Sequence, residues 1–213
     1  ARDRRRIRTH HYGRKKMKVL ALELSSSVGS IAFRDHGDAH LLKVFPADRK
    51  DSGLFYENLS AIQESSGVPK AIVVGLGPGS YAGVRIAIAT AIGLRAANGA
   101  RLLGLPSICA FDEEEYLAVG DARRNSFFFA HVVDGECLEG PTLASEQELR
   151  ELLETRPDLP VFATQALPQF ERVVVAHPCA LRLAELALRV EGDGEEMLEP
   201  IYLREPHITA ARR

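Results

Sequence analysis

The residues best suited to chemistry in this 213-residue chain form a glycine-rich segment from Gly75 to Gly83. It reads Gly-Leu-Gly-Pro-Gly-Ser-Tyr-Ala-Gly and lies between an apolar run and a helical pattern. Glycine permits positive φ and close approach of the backbone, and a helix N-terminus after such a turn is a natural anion site. Phosphate binding is therefore the first hypothesis. A Walker loop is excluded, because that motif needs a lysine and no Lys follows Lys70.

The dinucleotide-binding fingerprint is the second phosphate motif to consider. Residues 77–82 satisfy G-x-G-x-x-[GA] between a predicted strand and a predicted helix. The acidic ribose ligand expected about 20 residues later is missing, because the segment 103–106 is Leu-Gly-Leu-Pro. A nucleophile elbow fails too, since G-x-S-x-G would need glycine at Pro78 and Ala82. We therefore expect Ser80 to cap the following helix through its hydroxyl.

Two further groups of residues have the spacing of a chemical site. His36 and His40 are four residues apart, but the glycine and aspartate between them predict a turn, on which the two imidazoles would diverge rather than share a metal. Cys109 with His131 or His177 would form a cysteine-nucleophile pair. No local signature supports that pair, and a buried structural cysteine is the more common case.

The elements that must position these residues fall into two similar halves. The first half is predicted as strands and helices at 19–24, 28–33, 41–45, 54–67, 71–75, 81–98 and 102–103. The second half is predicted as strands and helices at 116–119, 127–133, 136–138, 145–156, 161–163 and 177–190. Each half reads roughly βββαβα. We therefore expect a duplicated α/β fold whose lobes, 17–105 and 106–213, enclose a cleft.

The helix over 81–98 is apolar almost all the way round. Its four polar residues, Arg85, Thr90, Arg95 and Asn98, do not share one face at about 100° per residue. Such a helix needs cover on more than one side, from its own domain or from another chain. We predict a partner chain, and the expected interface residues are Val84, Arg85, Ile88, Ala89, Ile92 and Arg95. The alternative is a helix packed entirely within its own domain.

Composition narrows the class of protein. No apolar run approaches the roughly 18 residues of a membrane span. Three cysteines without a C-x-x-C pair cannot close a disulfide framework, which favours a reducing cytoplasm. Residues 1–16 carry eight Lys or Arg and one Asp, which leaves a net charge of −9 on the rest and argues against independent nucleic-acid binding. We expect Met17 to be the natural start and the basic leader to be disordered or non-native, with a nucleic-acid arm or a targeting sequence as alternatives.

Residues 77–86 resemble the Gly-Pro-Gly-Ser-Phe-Thr-Gly-(Val/Leu)-Arg-Ile signature of the TsaB (YeaZ) family. Three further segments agree in order: the hairpin at 19–33, an Asp-Ala-Arg turn at 120–123 and a Pro-x-Tyr-Leu-Arg motif at 199–204. Together they cover the chain from Met17 onward. The resemblance implies the two-lobed ASKHA (actin/Hsp70/RNase H-like) fold. The signature turn then comprises Gly77, Pro78, Gly79, Ser80 and Gly83.

The resemblance also implies a role. Members of the family are noncatalytic scaffold subunits that pair with the related catalytic protein TsaD, with TsaE as an ATPase partner. That complex transfers threonylcarbamoyl to adenosine 37 of tRNAs reading ANN codons. This chain would therefore contact tRNA only as part of the complex. The isolated chain would form a homodimer. ATP and metal would belong to the partner subunits, and this chain would carry no cofactor of its own.

Three positions depart from the pattern of an ASKHA nucleotide site. That site resembles Asp-x-Gly-Thr in the first hairpin, whereas this chain has Glu23 and Ser25 there. The turn of the second lobe has Asp121 without the glycine of a phosphate loop. The departures imply that ATP is not used here. The alternative is an active ASKHA-type kinase or acyl-transferring enzyme that places Glu23 and Asp121 around Mg-ATP.

Overall fold

The computed structural model describes residues 17–35, 40–47, 52–190 and 198–203. The basic leader at 1–16 and residues 36–39, which include His36, lie outside the described residues. That the imidazoles of His36 and His40 diverge rather than share a metal therefore stays a sequence prediction.

The first sheet has five strands in the spatial order β3-β2-β1-β4-β5. The strands are β1 Val19–Glu23, β2 Val28–Arg34, β3 His40–Pro46, β4 Ala71–Gly75 and β5 Arg101–Leu105. β1, β2 and β3 pair antiparallel, while β4 pairs parallel with both β1 and β5. Helices α1 (Gly53–Ser65) and α2 (Tyr81–Asn98) pack on one face of this sheet and share an apolar core with it.

The second sheet repeats this arrangement in the order β10-β9-β6-β7-β8. Its strands are β6 Glu115–Asp121, β7 Ser126–Val133, β8 Glu136–Ser145, β9 Val161–Ala163 and β10 Val173–Val175. Helix α3 (Glu146–Glu154) begins at the predicted capping box, in which Ser145 and Glu148 bond each other's backbone amide. The two matching strand orders confirm the duplicated two-lobed α/β fold.

The second lobe departs in detail from the predicted order of elements. A strand that the sequence patterns did not predict, β10, precedes the last helix, and the nine residues between β9 and β10 form no helix. Nine residues, with Pro168 among them, are too few for a helical crossover. The second lobe therefore has no counterpart of α2.

Helix α4 (Ala180–Ala187) lies between the two sheets. Leu183 and Ala184 pack in a buried cluster with β1 and β4, whereas Leu186 packs in a cluster with β6 and β7. Arg34 of β2 donates to Glu185 Oε1 at 2.9 Å and ties the helix to the first sheet. The helix is shorter than the predicted 177–190: Pro178 disfavours helical backbone at residue 177, and Cys179 is extended as the N-cap.

No helix in the described part of the chain is both long enough and apolar enough to cross a membrane.

Candidate functional site

The glycine turn lies directly on the turn between β1 and β2. Ser80 N donates to Ser25 O at 2.6 Å. A Cβ placed on Gly79 would lie 2.1 Å from that same carbonyl oxygen, so only glycine allows the two backbones to come this close. The Ser80 hydroxyl accepts from Gly83 N at 3.3 Å, which confirms Ser80 as the N-cap of α2.

Three amides of the glycine turn and the first turn of α2 are bonded inside the protein. Gly77 N donates to the hydroxyl of Ser107 at 3.0 Å, at the short 3-10 helix Ser107–Cys109 that opens the second half of the chain. The amides of Ser80 and Gly83 have the partners described above. The turn therefore fastens three elements together, and its geometry is that of a structural joint rather than a phosphate cradle.

Glu23 does not fit the role of a nucleotide or metal ligand. Its side chain is completely buried, and its Oε1 accepts from Ser25 N at 2.6 Å. Burial raises the pKa of the Glu23 carboxyl, although hydrogen bonds from Ser25 and Ser107 oppose this effect. A completely enclosed carboxyl cannot reach a metal–phosphate complex in the cleft. Asp121, by contrast, is exposed on the second lobe, where its Oδ1 accepts from Arg123 N at 2.7 Å.

The two cysteine–histidine pairs weighed from the sequence have no support in the structure. Cys109 is buried, and burial raises the pKa of its thiol to about 12, so the nucleophilic thiolate is not formed at neutral pH. His131 Nε2 lies 2.9 Å from Glu115 Oε1, and His177 Nδ1 lies 3.1 Å from Ser26 Oγ. Among the described residues, no group of three or more His, Cys, Asp or Glu side chains is arranged to hold a metal ion.

Helix α2 has one buried face and one exposed face. Val84 and Ile88 are buried in the core of the first lobe, so the prediction that they face a partner is corrected. Arg85, Ala89 and Ile92 are exposed, and Ile92 keeps 52% of its surface open. Arg95 is half-buried at the end of the helix. The described residues do not cover this side of α2, which contradicts the alternative of a helix packed entirely within its own domain, whereas the predicted partner chain stays a prediction.

The exposed α2 face combines small and apolar residues at helical spacing. Its members are Ala82, Arg85, Ala89, Ile92, Gly93 and Ala96. A Cβ added to Gly93 would meet no atom within 4 Å, so the described part of the chain does not cover this strip. Small side chains leave it flat, which allows the backbone of another helix to approach closely.

An aromatic cluster that sequence reasoning missed extends this face at the start of α2. The Arg85 guanidinium lies over the Tyr81 ring at 5.0 Å from its centroid and donates to the Tyr81 hydroxyl. The rings of Tyr81 and Tyr202 are 5.5 Å apart. The segment 198–203 brings Tyr202 there, because Ile201 N donates to Leu76 O at 2.8 Å and Leu198 is buried against the α2 core. The C-terminal motif was visible in the sequence, but nothing local placed it beside α2.

Comparison with known proteins agrees with this geometry. No protein-family model matches the chain. An uncharacterized protein of Mycobacterium leprae is 37% identical over 87 residues, which are 37% of this chain and 23% of that protein. An uncharacterized protein of Mycobacterium tuberculosis is 29% identical over 140 residues, 64% of each chain. The chain thus matches less than two thirds of the length of these relatives.

Solved structures give the more extensive match. YeaZ from Pseudomonas aeruginosa superposes with a TM-score of 0.67 at 23% identity, over 87% of this chain and all of that one. A second crystal structure, of a protein described as similar to the peptidase YeaZ from Pseudomonas aeruginosa, gives 0.69 at 24% identity, over 88% of this chain and all of that one. The chain therefore has the two-lobed α/β fold of these YeaZ structures.

Proposed function

We propose that this chain belongs to the TsaB (YeaZ) family and acts as a noncatalytic scaffold subunit of the machinery that makes N6-threonylcarbamoyladenosine at position 37 of tRNA. In this role it binds and supports the catalytic subunit TsaD, while TsaE joins as the ATPase. tRNA is met through the complex, in the cytoplasm. In the absence of TsaD, a second copy of the chain occupies the same surface.

The observation that carries the proposal is the exposed α2 face. It is apolar where a surface helix of a monomer would be polar. It also continues into Tyr81, Arg85 and Tyr202, and tyrosine and arginine are the residue types that dominate binding energy at protein interfaces. The close fit of Gly79 against Ser25 supports this role, because it fixes the orientation of α2 relative to the first sheet.

The interior of the first hairpin supports the noncatalytic part of the proposal. Glu23 is enclosed and its burial raises the pKa of its carboxyl, and the amides of Gly77, Ser80 and Gly83 already bond Ser107, Ser25 and Ser80. A kinase or acyl-transferring enzyme of this fold would need a charged carboxylate and free amides at these positions. Measurable turnover of ATP by the isolated chain would contradict this part.

A matched pair of variants tests the docking surface. Ile92→Glu places a charge on the exposed α2 face, and Val174→Glu places the same charge on β10, where Val174 keeps 56% of its surface open. Both variants should fold, because neither side chain is part of a buried cluster. Binding to purified TsaD is measured by titration calorimetry. We expect Ile92→Glu to weaken it by about 2 kcal/mol or more, the scale of an interface hot spot, and Val174→Glu to leave it unchanged.

Equal affinity of both variants for TsaD would show that the exposed α2 face is not the interface. Ile88→Glu is unsuitable for this purpose. Ile88 is only 8% exposed, so a charge there would disrupt the core and confuse misfolding with loss of binding.

A further inference from the structure

Strand β3 forms an exposed edge of the first sheet. It lies last in the strand order β3-β2-β1-β4-β5, and no other strand among the described residues pairs with its outer side. The five consecutive residues 40–44 are exposed, and three of them, Leu41, Leu42 and Val44, are apolar. Val44 keeps 60% of its surface open. An apolar edge strand of this kind is a template for pairing with another chain, because alternate N–H and C=O groups along it face outward.

The other three edge strands of the described sheets are protected by length, burial or irregularity. β10 has only three residues, and every residue of β5 is buried or half-buried. β8 is interrupted by register shifts opposite His131 of β7, and its Pro141 has no N–H to donate. β3 has none of these protections, because it pairs with β2 in unbroken register over seven residues.

The outward backbone groups of β3 can be assigned from the ladder with β2. Ala47 N donates to Ser27 O at 2.9 Å, which makes these two opposite residues a hydrogen-bonded pair. Hydrogen-bonded and non-hydrogen-bonded pairs alternate along an antiparallel ladder, so the odd-numbered residues of 41–45 bond β2. The N–H and C=O groups of Leu42 and Val44 therefore point away from the sheet, toward the position of an added strand.

The two faces of this edge differ in chemistry. Leu42 lies opposite Ala32, which packs in the buried cluster of α4, and Val44 lies on the same face. Lys43 lies opposite Ile31, which packs in the cluster of α1 and α2 on the other face. An added strand would therefore meet two apolar side chains on the α4 face and a lysine between them on the opposite face.

The lysine decides which kind of strand fits the edge. Lys43 has no ion-pair partner among the described residues, and β3 itself contains no acidic residue. A second copy of β3 would place Lys43 opposite another lysine, which is destabilising, or opposite a residue that offers it no ion pair. An acidic residue opposite Lys43 would instead form a cross-strand ion pair. Lys43 therefore opposes self-pairing and favours an acidic strand.

We propose that β3 binds an extended segment of another protein in which one acidic residue is flanked by two apolar residues. The segment adds an antiparallel sixth strand to the five-stranded sheet by exchanging backbone hydrogen bonds with Leu42 and Val44. Its acidic side chain pairs with Lys43, and its apolar side chains cover Leu42 and Val44 on the α4 face. Helix α2 packs over β1, β4 and β5, so this edge is separate from the α2 docking surface and either proposal can fail without the other.

The probe is a fluorescein-labelled peptide, Gly-Thr-Val-Glu-Val-Thr-Gly-amide, whose binding to the full chain is followed by fluorescence anisotropy. A second peptide has lysine in place of glutamate. A third carries N-methyl groups on both valines, which removes the N–H groups that would bond Leu42 and Val44. We expect saturable binding of the glutamate peptide, binding about fivefold weaker for the lysine peptide, and no binding of the N-methylated peptide.

Two pairs of variants locate the binding on β3. Lys43→Glu should reverse the preference, so that the lysine peptide binds more tightly, whereas Lys70→Glu makes the same charge change at an exposed residue outside β3 and should keep the preference for glutamate. Val44→Pro removes an outward N–H and should weaken both peptides about fivefold or more, while Val44→Thr keeps that N–H and should weaken them less. Pro46 already occupies an outward position of β3, so proline is compatible with this side of the strand. Circular dichroism checks that the variants are folded.

Four results would overturn the proposal. One is no saturable binding of the glutamate peptide up to about 1 mM, the limit of weak specific binding. Another is equal affinity for the glutamate and N-methylated peptides, which would exclude strand addition. The third is a Lys43→Glu variant that still prefers the glutamate peptide. The fourth is loss of self-association in Val44→Pro by sedimentation velocity, because the edge would then belong to a second copy of the chain.

Discussion

Two glycines of α2 should respond in opposite ways to the same substitution. A Cβ on Gly83 would lie 2.1 Å from Leu24 O, whereas a Cβ on Gly93 would meet no atom within 4 Å. Both residues lie within the helix Tyr81–Asn98. Gly83→Ala and Gly93→Ala therefore make the same chemical change in the same helix. The added methyl group lies against the backbone of Leu24 in Gly83→Ala and in open space in Gly93→Ala.

The magnitude follows from two opposing effects. Alanine stabilises a helix interior by up to about 1 kcal/mol relative to glycine, and Gly93→Ala should show most of this gain. Gly83→Ala must in addition move backbone against backbone by roughly 1 Å, and overpacking of this kind costs about 1–3 kcal/mol or more. Gly83→Ala should therefore be less stable than Gly93→Ala by about 1–3 kcal/mol or more.

Thermal unfolding followed by circular dichroism measures this difference. For a chain of this length, 1 kcal/mol shifts Tm by about 2–4 °C, so the two variants should differ by about 2–12 °C or more. The parent protein should lie between them. If Gly83→Ala melts at or above the Tm of Gly93→Ala, the contact between α2 and the β1–β2 turn is not tight, and our account of the signature turn fails.

Three further substitutions test other parts of the structure. Because burial raises the pKa of Glu23 above 4.5, the folded chain keeps a proton that the unfolded chain releases, so the free energy of unfolding should fall as pH rises from 4.5 through the folded pKa. Urea midpoints across this range should fall less in Glu23→Gln. Glu185→Ala should lower the free energy of unfolding by about 1–3 kcal/mol, because it removes a carboxylate that the buried Arg34 bonds at 2.9 Å; Glu185→Gln should cost less. Ser145→Ala removes the N-cap of α3 and should cost about 1 kcal/mol in urea unfolding, with Ser145→Asp recovering most of it.

Local signals in the sequence were sufficient for the elements around the glycine turn. Strand β4 and helix α2 begin and end where the sequence patterns predict. Gly99 ends α2 in the left-handed conformation, and its N–H donates to Arg95 O at 2.7 Å, as expected of a glycine C-cap. The capping box of α3 was equally predictable. In each case the residues that decide the structure are neighbours in the chain, so their preferences can be read directly.

Long-range contacts decided the rest. Because α2 is apolar on all sides, its sequence could not show that Ile88 is buried and Ile92 exposed. Which face is buried depends on the position of the first sheet, against which α2 packs. The sequence allows Glu23 to be a nucleotide ligand, but in the folded protein the packing of β4 and the 3-10 helix encloses its side chain. Asp121 and Gln165 line one open pocket on the second lobe although they are about 40 positions apart, because the parallel pairing of β6 and β9 brings the loops after these strands together. By itself the sequence determined most of the helices and strands, although it missed β10 and overextended α4, whereas burial, exposure and proximity depend on neighbours that are distant along the chain.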